Sequence, residues 1–444
     1  MQAPPAAEMR IERLDARDLE RLGGPAGAAV HLRSLVPDGA SVEDDVREIL
    51  ARVRAEGDAA VLDYTRRFDT AGEDPRPLLV PAEELDEAIK LLPRELIAGL
   101  QVAIANVALV AEAGVGQDAA VELPQGQRIV LREVPVGSAA VYVPGGRSAY
   151  PSTVIMGVVT ARSAGVIDVA VCSPPGADGQ IDPVILGACR LCGVERVYRM
   201  GGAQAIAALA HGTDTVAPVE VIVGPGNLYV QEAKHQLSAT VGIDGFAGPS
   251  DLLVALGSDA GDHEVRLAAL DMLAQAEHGT GSLVVAVSPS AAACHALAAT
   301  LEKEVVERPT VAEAAFAVVE VPGPGDAALL ANAFAPEHLQ LMGADMEALA
   351  PAIRSAGCLF VGVHSATAFG DYVAGSNHVL PTAGAARFAS TLSPRHFRRR
   401  MAEVRIGAAA ADRLAAAGAP IARAEGFEVH AESMEARVRE NPPS

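Results

Sequence analysis

The stretch that decides the fold is residues 128–175, RIVLREVPVGSAAVYVPGGRSAYPSTVIMGVVTARSAGVIDVAVCSPP. Its two ends are rich in Val, Ala and Ile, residues that fit a pleated, buried surface. Between them STVIMGVVTARSAGV (152–166) follows Pro151 and is apolar on all sides, as a buried helix is. Residues 128–143 therefore read as a strand, 152–166 as a helix and 166–175 as a second strand. Strand, buried helix, strand is the unit of a parallel sheet, which is covered on both faces and so is apolar throughout.

The rhythm continues downstream. DPVILGACRLCGV (182–194) reads as a helix, ERVYRMGG (195–202) as a strand, AQAIAALAHG (203–212) as a helix and VEVIVGPGN (219–227) as a strand, with a further helix over 227–242. It then starts again. DLLVALG, SLVVAVSP, AFAVVEVP and CLFVGV are strands, and helices are expected over 263–279 and 291–308 and from about 345; DAALLANAFAPEHLQLMG (326–343) lies among them. Two runs of about 110 residues predict two α/β domains with parallel, doubly wound sheets. Similarity between the runs is too weak to establish a duplication. Upstream, Ser41 with Asp44 reads as a capping box, opening a helix whose apolar stripe is Val42, Val46, Ile49, Leu50 and Val53. A second helical stretch covers 82–113. The tail after about 392 is rich in Arg and Ala and reads as helical.

Composition narrows the function. Half of the 444 residues are hydrophobic, which is ample for large cores and excludes disorder. The net charge of −21 argues against a nucleic-acid partner, which needs basic surface to displace counterions. Lys occurs only at 90, 234 and 303, so Arg carries nearly all the positive charge. The polar start lacks the apolar core of a secretory signal, and no run of roughly 18 consecutive apolar residues suggests a membrane span. Cys172, Cys189, Cys192, Cys294 and Cys358 are odd in number and scattered, unlike a disulfide framework, and Cys189-x-x-Cys192 reads as core. A cytoplasmic protein is expected.

Several loops and polar stripes could carry chemistry. Tyr142-Val-Pro-Gly145-Gly146, Gly201-Gly202-Ala-Gln204 and Gly224-Pro-Gly226-Asn227 each follow a strand. Glycines there let a phosphate approach the backbone, and a helix N-terminus favours the anion. None fits GxGxxG, and each alone is equally an ordinary turn. Asp271, Gln275 and His278 share one stripe of an otherwise apolar helix. A metal would give them a partner, although a solvated or core-satisfied histidine explains the stripe without one. Glu337-His338, between a helix and a strand, could supply two proton-transfer groups; a capping Glu beside a surface His is the simpler account. Asp371 and His378 fall in the polar, Gly-containing stretch GDYVAGSNHVLPT (370–382). Glu425 and His430 lie in the tail, five apart and not on one helical face.

Eight segments together change this balance. VYVPGG with YPSTVIM, GGAQAIAALA, GPGN with EAKHQ, IDGFAGPSDLLV, LAQAEHG, APEHL, AGSNHVLPTAG and EGFEVHA span about 130–430, and the chain resembles the histidinol dehydrogenase family in their order. The resemblance implies two incomplete Rossmann-like domains with small helical N- and C-terminal lobes. It divides the chain into an N-terminal segment 1–38, a first α/β domain of 39–141 with 252–392, a second α/β domain of 142–251 carrying the NAD contacts, and a C-terminal lobe 393–444. It implies a homodimer that exchanges its tails. The implied reaction takes L-histidinol through histidinaldehyde to L-histidine, with two NAD and one zinc. The implied zinc ligands are Gln275, His278, Asp371 and His430, the last from the partner subunit. NAD contacts fall on Tyr142, Gln204 and Asn227. Substrate contacts fall on Ser250, Gln275, His278, His338, Asp371, His378, Glu425 and His430, with Glu337 and His338 as the proton-transfer pair.

The residue chemistry is compatible with those roles. His338 could take the alcohol proton and Glu337 could activate the water of the second oxidation. Two departures stand out: Asp251 occupies a position where Glu is usual after AGPS, and Thr367 a position where some members carry an acid. A related zinc and NAD dehydrogenase of another small polar alcohol, such as a sulfonated diol, is the nearest alternative. A zinc hydrolase using Glu337, or a non-catalytic metal-binding dimer, is more remote.

Overall fold

A computed structural model of the chain describes residues 11–36, 41–145, 148–245, 248–279, 281–311 and 313–438. In chain order the strands are β1 (Ile11–Leu14), β2 (Ala119–Glu122), β3 (Arg128–Pro135), β4 (Ser138–Tyr142), β5 (Asp168–Ser173), β6 (Arg196–Arg199) and β7 (Val221–Val223). There follow β8 (Gly242–Ile243), β9 (Asp251–Leu256), β10 (Leu283–Ser288), β11 (Ala315–Glu320), β12 (His338–Met342), β13 (Cys358–Val361) and β14 (Arg398–Arg405).

Two parallel sheets form the core, as the alternating pattern predicts. One runs β6-β5-β4-β7-β8 and the other β1-β11-β10-β9-β12-β13. Leaving aside β1, the strand order is the same: the first strand is central, the next two go to one side and the last two to the other. The duplication that residue similarity could not establish is thus present in the topology. Each sheet has a switch point, between β4 and β7 and between β9 and β12, where connections depart in opposite directions and leave a crevice.

Both sheets are covered on both faces. Helices Glu43–Glu56, Asp58–Phe68, Gly202–His211 and Leu228–Leu237 pack on one face of the β4 sheet. Helices Ala82–Leu91, Arg94–Ala113, Pro151–Ser163 and Pro183–Leu191 pack on the other. The β9 sheet is covered by Asp262–Ala276 and Ala291–Val306 on one side, and by Pro25–Arg33 and Pro324–Phe334 on the other. Burying each Val, Leu or Ile in these layers contributes about 1.5–3 kcal/mol.

The structure redraws several expected boundaries. Helices of 43–113 pack on the β4 sheet rather than joining 252–392, because their apolar stripes meet Ala140, Tyr142 and Val141. The N-terminal segment is not a separate lobe: Ile11–Leu14 pairs in parallel with β11, and Leu19, Ala28, Ala29 and Leu32 enter the second core. Residues 128–143 form two strands. The turn at Val136-Gly137 sends β3 into a small antiparallel sheet, β14-β3-β2, and β4 into the parallel one. The tail therefore begins with a strand before helices Ala408–Ala424 and Glu428–Glu435. The stretch 82–113 breaks at Pro93 into two helices. At Ser41 the helix starts later, capped at Val42 without a side-chain bond, although the stripe Val46, Ile49, Leu50 and Val53 is buried as expected.

Helix Arg94–Ala113 is long and apolar enough to cross a membrane on composition alone. Here its Leu100, Ala103 and Val107 belong to the first core, and Asn106 donates to the Val373 carbonyl at 2.7 Å. Residues 373–397 bind the two halves together. Asn377 donates to Met156 O and Thr160 Oγ1, at 3.0 and 3.1 Å, and Leu392 and Phe397 join the first core. All five cysteines are free, and burial pushes the Cys192 thiol up to about 12.

Candidate active site

The three glycine loops converge at the carboxyl ends of β4, β6 and β7, as open α/β sheets require. Tyr142 ends β4, and its hydroxyl accepts from the Gly202 amide at 3.2 Å. Gln204 is buried in the first turn of Gly202–His211. Asn227 caps Leu228–Leu237, its side chain accepting from Val230 N at 3.1 Å. All three line one cleft of about 1130 Å³ with Gly145, Pro174, Asp178 and Asp69. That is large for a small-metabolite pocket and suits a dinucleotide. Gly146 lies outside the described residues.

The cleft floor is rigid. Gly224 has φ +114°, and a Cβ there would lie 2.1 Å from the Tyr142 carbonyl oxygen, so only glycine fits. Lys234, fully buried, donates to Gly224 O at 2.8 Å and pairs with Asp244, which accepts from Gly224 N at 2.6 Å. Helices starting at Pro151, Pro183, Gly202 and Leu228 each follow a strand of this sheet and begin at its carboxyl edge. Their positive ends favour an anion such as a pyrophosphate.

Glu337 and His338 occupy the opposite kind of edge. Helix Pro324–Phe334 ends at Ala335, whose left-handed backbone (φ +51°) turns the chain, and His338 begins β12. The pair therefore sits at the amino ends of the strands, beside Ser250 and Asp251 at the start of β9. They are not on the surface: Glu337 is 5% and His338 3% exposed. Asp251 clasps Glu337 from both sides. Its carboxylate accepts from Glu337 N at 2.7 Å, and its amide donates to Glu337 Oε2 at 3.0 Å. The other Asp251 oxygen accepts from Arg33 at 3.0 Å and Ala383 N at 3.2 Å. Arg33 also donates to Phe334 O at 2.6 Å, capping the helix that leads into Glu337.

Charge at the pair follows from this setting. Burial pushes Glu337 up to about 7, opposed by the His338 charge and by the Ser250 hydroxyl, and reinforced by Asp251. For His338 burial works against the charged form, but Glu337 and Asp371 prevail and raise it to about 9. His338 lies 3.8 Å from Glu337 and 3.4 Å from Asp371. The two neighbouring carboxylates thus favour the protonated imidazole.

A polar layer continues from His338 across the sheet face. Residues two apart on a strand share a face, so Gln340 lies beside His338 while Leu339 and Leu341 face the core. Gln340 donates to Asp271 at 2.7 Å, and Gln275 follows one turn later on the same helix, only 1% exposed. His338 Nδ1, Gln275 Nε2 and Gln340 Oε1 are buried without hydrogen-bond partners. A native interior seldom leaves such atoms unmet, so a ligand's polar atoms belong here.

The implied metal ligands divide into two groups. Gln275, His278 and Asp371 come together. His278 Nδ1 meets Gln275 O at 3.0 Å, and the charge of His278 is felt at Asp371. Burial of Asp371 is outweighed by His338, His378 and His278, which hold its carboxyl below the usual range. An unpaired amide, an imidazole and an ionised carboxylate suit zinc. Among the described residues no group of three or more His, Cys, Asp or Glu could hold a metal. His430 and Glu425 stay outside this group, exposed on the tail, with His430 stacked on Phe427 at 5.0 Å. His378 has both nitrogens engaged, by Asp371 O at 2.9 Å and Thr153 Oγ1 at 3.3 Å. In this chain it links the two halves of the site.

Comparison with known proteins bears on this arrangement. The histidinol dehydrogenase family model matches residues 35–438. A histidinol dehydrogenase of Gluconobacter oxydans is 42% identical, covering 91% of this chain and 94% of its own. One of Parasynechococcus marenigrum is 43% identical over 89% and 91%. The chain belongs to the histidinol dehydrogenase family. A crystal structure of histidinol dehydrogenase from Elizabethkingia anophelis superposes with a TM-score of 0.89 at 28% identity, covering 96% of this chain and 98% of that one.

For this member of the histidinol dehydrogenase family, sequence reasoning missed the clasp. Asp251 reads as a modest change and Arg33 as part of a lead-in, yet they fix Glu337. The alternation His338-Leu-Gln340-Leu was a readable sign that His338 faces a polar layer. No local signal joins Arg33 to Asp251, which are 218 positions apart.

Proposed function

We propose that this protein oxidises L-histidinol through histidinaldehyde to L-histidine, the last step of histidine biosynthesis. The observation that carries this is the buried Glu337–His338 pair, with Asp371 on the far nitrogen of the imidazole. A dehydrogenase of this kind needs one group for the alcohol proton and another for water.

Gln275, His278 and Asp371 would hold zinc, with His430 from a second copy, and Tyr142, Gln204 and Asn227 would contact NAD. Bound NAD would accept a hydride in each oxidation, and zinc would orient the substrate's imidazole and amine. His338 takes the carbinol proton. Glu337 is fixed by the Asp251 amide. Glu337, raised by burial, then takes a proton from the water that adds to the aldehyde, a role suited to a carboxyl poised near neutrality. Ser250 is placed to hold Glu337 through its hydroxyl.

A homodimer fits the same reading. Glu425 and His430 are on the surface, with exposed Ile421, Phe427 and Val429 beside them, and a second copy would bring them to the substrate. The test is NADH absorbance with L-histidinol, with and without a chelator. Turnover that the chelator abolishes is expected; no NADH from histidinol, with turnover of a sulfonated diol, overturns the assignment.

A further inference from the structure

Among the described residues of the large cleft, Asp69 is the one whose position is costly and unexplained. It follows helix Asp58–Phe68 directly, at the negative end of that helix, where a carboxylate is disfavoured. Its Oδ2 is buried with no hydrogen-bond partner, and burial alone pushes the carboxyl up to about 7. The two other carboxylates of the lining are already used. Asp178 accepts from Gln180 N at 3.0 Å in a turn, and Asp182 caps a helix through Val184 N at 2.8 Å. Among the described residues, no Lys or Arg lines the cleft.

An unmet acceptor in a dinucleotide cleft calls for a donor on the ligand. The parts of NAD that donate beside the pyrophosphate are the ribose hydroxyls, and acidic residues read them in other α/β folds. A phosphate on the 2′ oxygen would both remove that donor and place like charges together. We propose that Asp69 binds the adenosine ribose hydroxyls of NAD and sets the preference for NAD over its 2′-phosphorylated form. This rests on the reading of the cleft as a dinucleotide site.

The test is isothermal titration of NAD and of NADP into the full-length protein, its Asp69→Asn variant and, as a comparator, Asp178→Asn. Thermal midpoints of the free proteins are recorded alongside. The natural chain binds NADP roughly a hundredfold more weakly than NAD, from the like-charge contact. Asp69→Asn weakens NAD about tenfold, the loss of one charged hydrogen bond, and narrows the gap to NADP. Its free-protein midpoint at pH 8 is equal or higher, because an unpaired buried charge has gone, whereas a merely structural Asp69 would lower it. Unchanged NAD affinity and selectivity in Asp69→Asn overturns the proposal, as does an equal loss of selectivity in Asp178→Asn. If the natural chain binds no NAD, the dinucleotide reading fails and takes this one with it; if it binds NAD and only the Asp69 arm is silent, the Asp69 role alone fails.

Discussion

The two sheets share one strand order and use opposite ends of it. The β4 sheet presents carboxyl ends, glycine loops and helix N-termini; the β9 sheet presents amino ends, with helix Asp262–Ala276 finishing at Gln275 and His278. Helix N-termini favour anions and C-termini favour cations. One topology thus yields an edge that favours anions and an edge that favours cations. Each switch point is braced by a cation paired to a buried Asp: Lys234–Asp244 under Gly224, and Arg33–Asp251 under Glu337.

The comparison breaks most visibly at the proton-transfer pair. His338→Ala should lower histidinol oxidation about a hundredfold to ten-thousandfold, with zinc content and NAD affinity unchanged. Glu337→Gln should spare the first oxidation and stall the second, so histidinaldehyde accumulates in a rapid-quench assay. Equal loss of both oxidations in Glu337→Gln would show that the two groups do not divide the work.

Next come the braces. Lys234→Met leaves Asp244 buried and unpaired, which costs about 3–5 kcal/mol, measured by urea unfolding, and should weaken NAD more than zinc. Arg33→Met should do the reverse, lowering turnover through Glu337 with NAD affinity intact. If both variants weaken NAD alike, the two edges are not independent.

The metal edge is tested by His278→Ala and His430→Ala, each expected to lower zinc on elemental analysis with NAD titration unchanged. Mixing the two inactive variants should restore part of the activity, since one of the hybrid sites then carries both histidines. No recovery after verified subunit exchange counts against a site shared between copies.

What the residues disclose follows the same division. The carboxyl-end loops were legible because each is local: a strand, two glycines and a helix start. The repeated alternation gave both sheets. The helices of 43–113 show a stripe to bury, but a stripe does not say which sheet it covers. The amino-end site depends on partners far apart, such as Arg33 with Asp251 and Thr153 with His378. Gly137 hid the break between β3 and β4, because apolar residues continue on both sides. His430 lies exposed on the tail, and no local pattern ties it to Gln275, His278 and Asp371.

The smallest effect is a pH dependence that separates Asp69 from Asp251, the buried carboxylate of the other edge. Asp251 has partners; the buried Oδ2 of Asp69 has none among the described residues. A carboxyl raised in the folded state binds more protons folded than unfolded between its two values. Stability then falls as pH rises from about 4, the unfolded value, to about 7, the folded one, and stays lower above that. Asp69→Asn should therefore raise the thermal midpoint at pH 8 and lose that gain as pH falls toward 4. Saturating NAD should erase the pH 8 difference or invert it, because the natural chain then gains a partner for Asp69 that the amide meets less well. Asp251→Asn should show no such gain at any pH, since it removes an acceptor from Arg33 and loosens the Glu337 clasp. A midpoint gain in both variants would mean that each edge merely tolerates its acid, and the contrast between a paired and a waiting carboxylate would be lost.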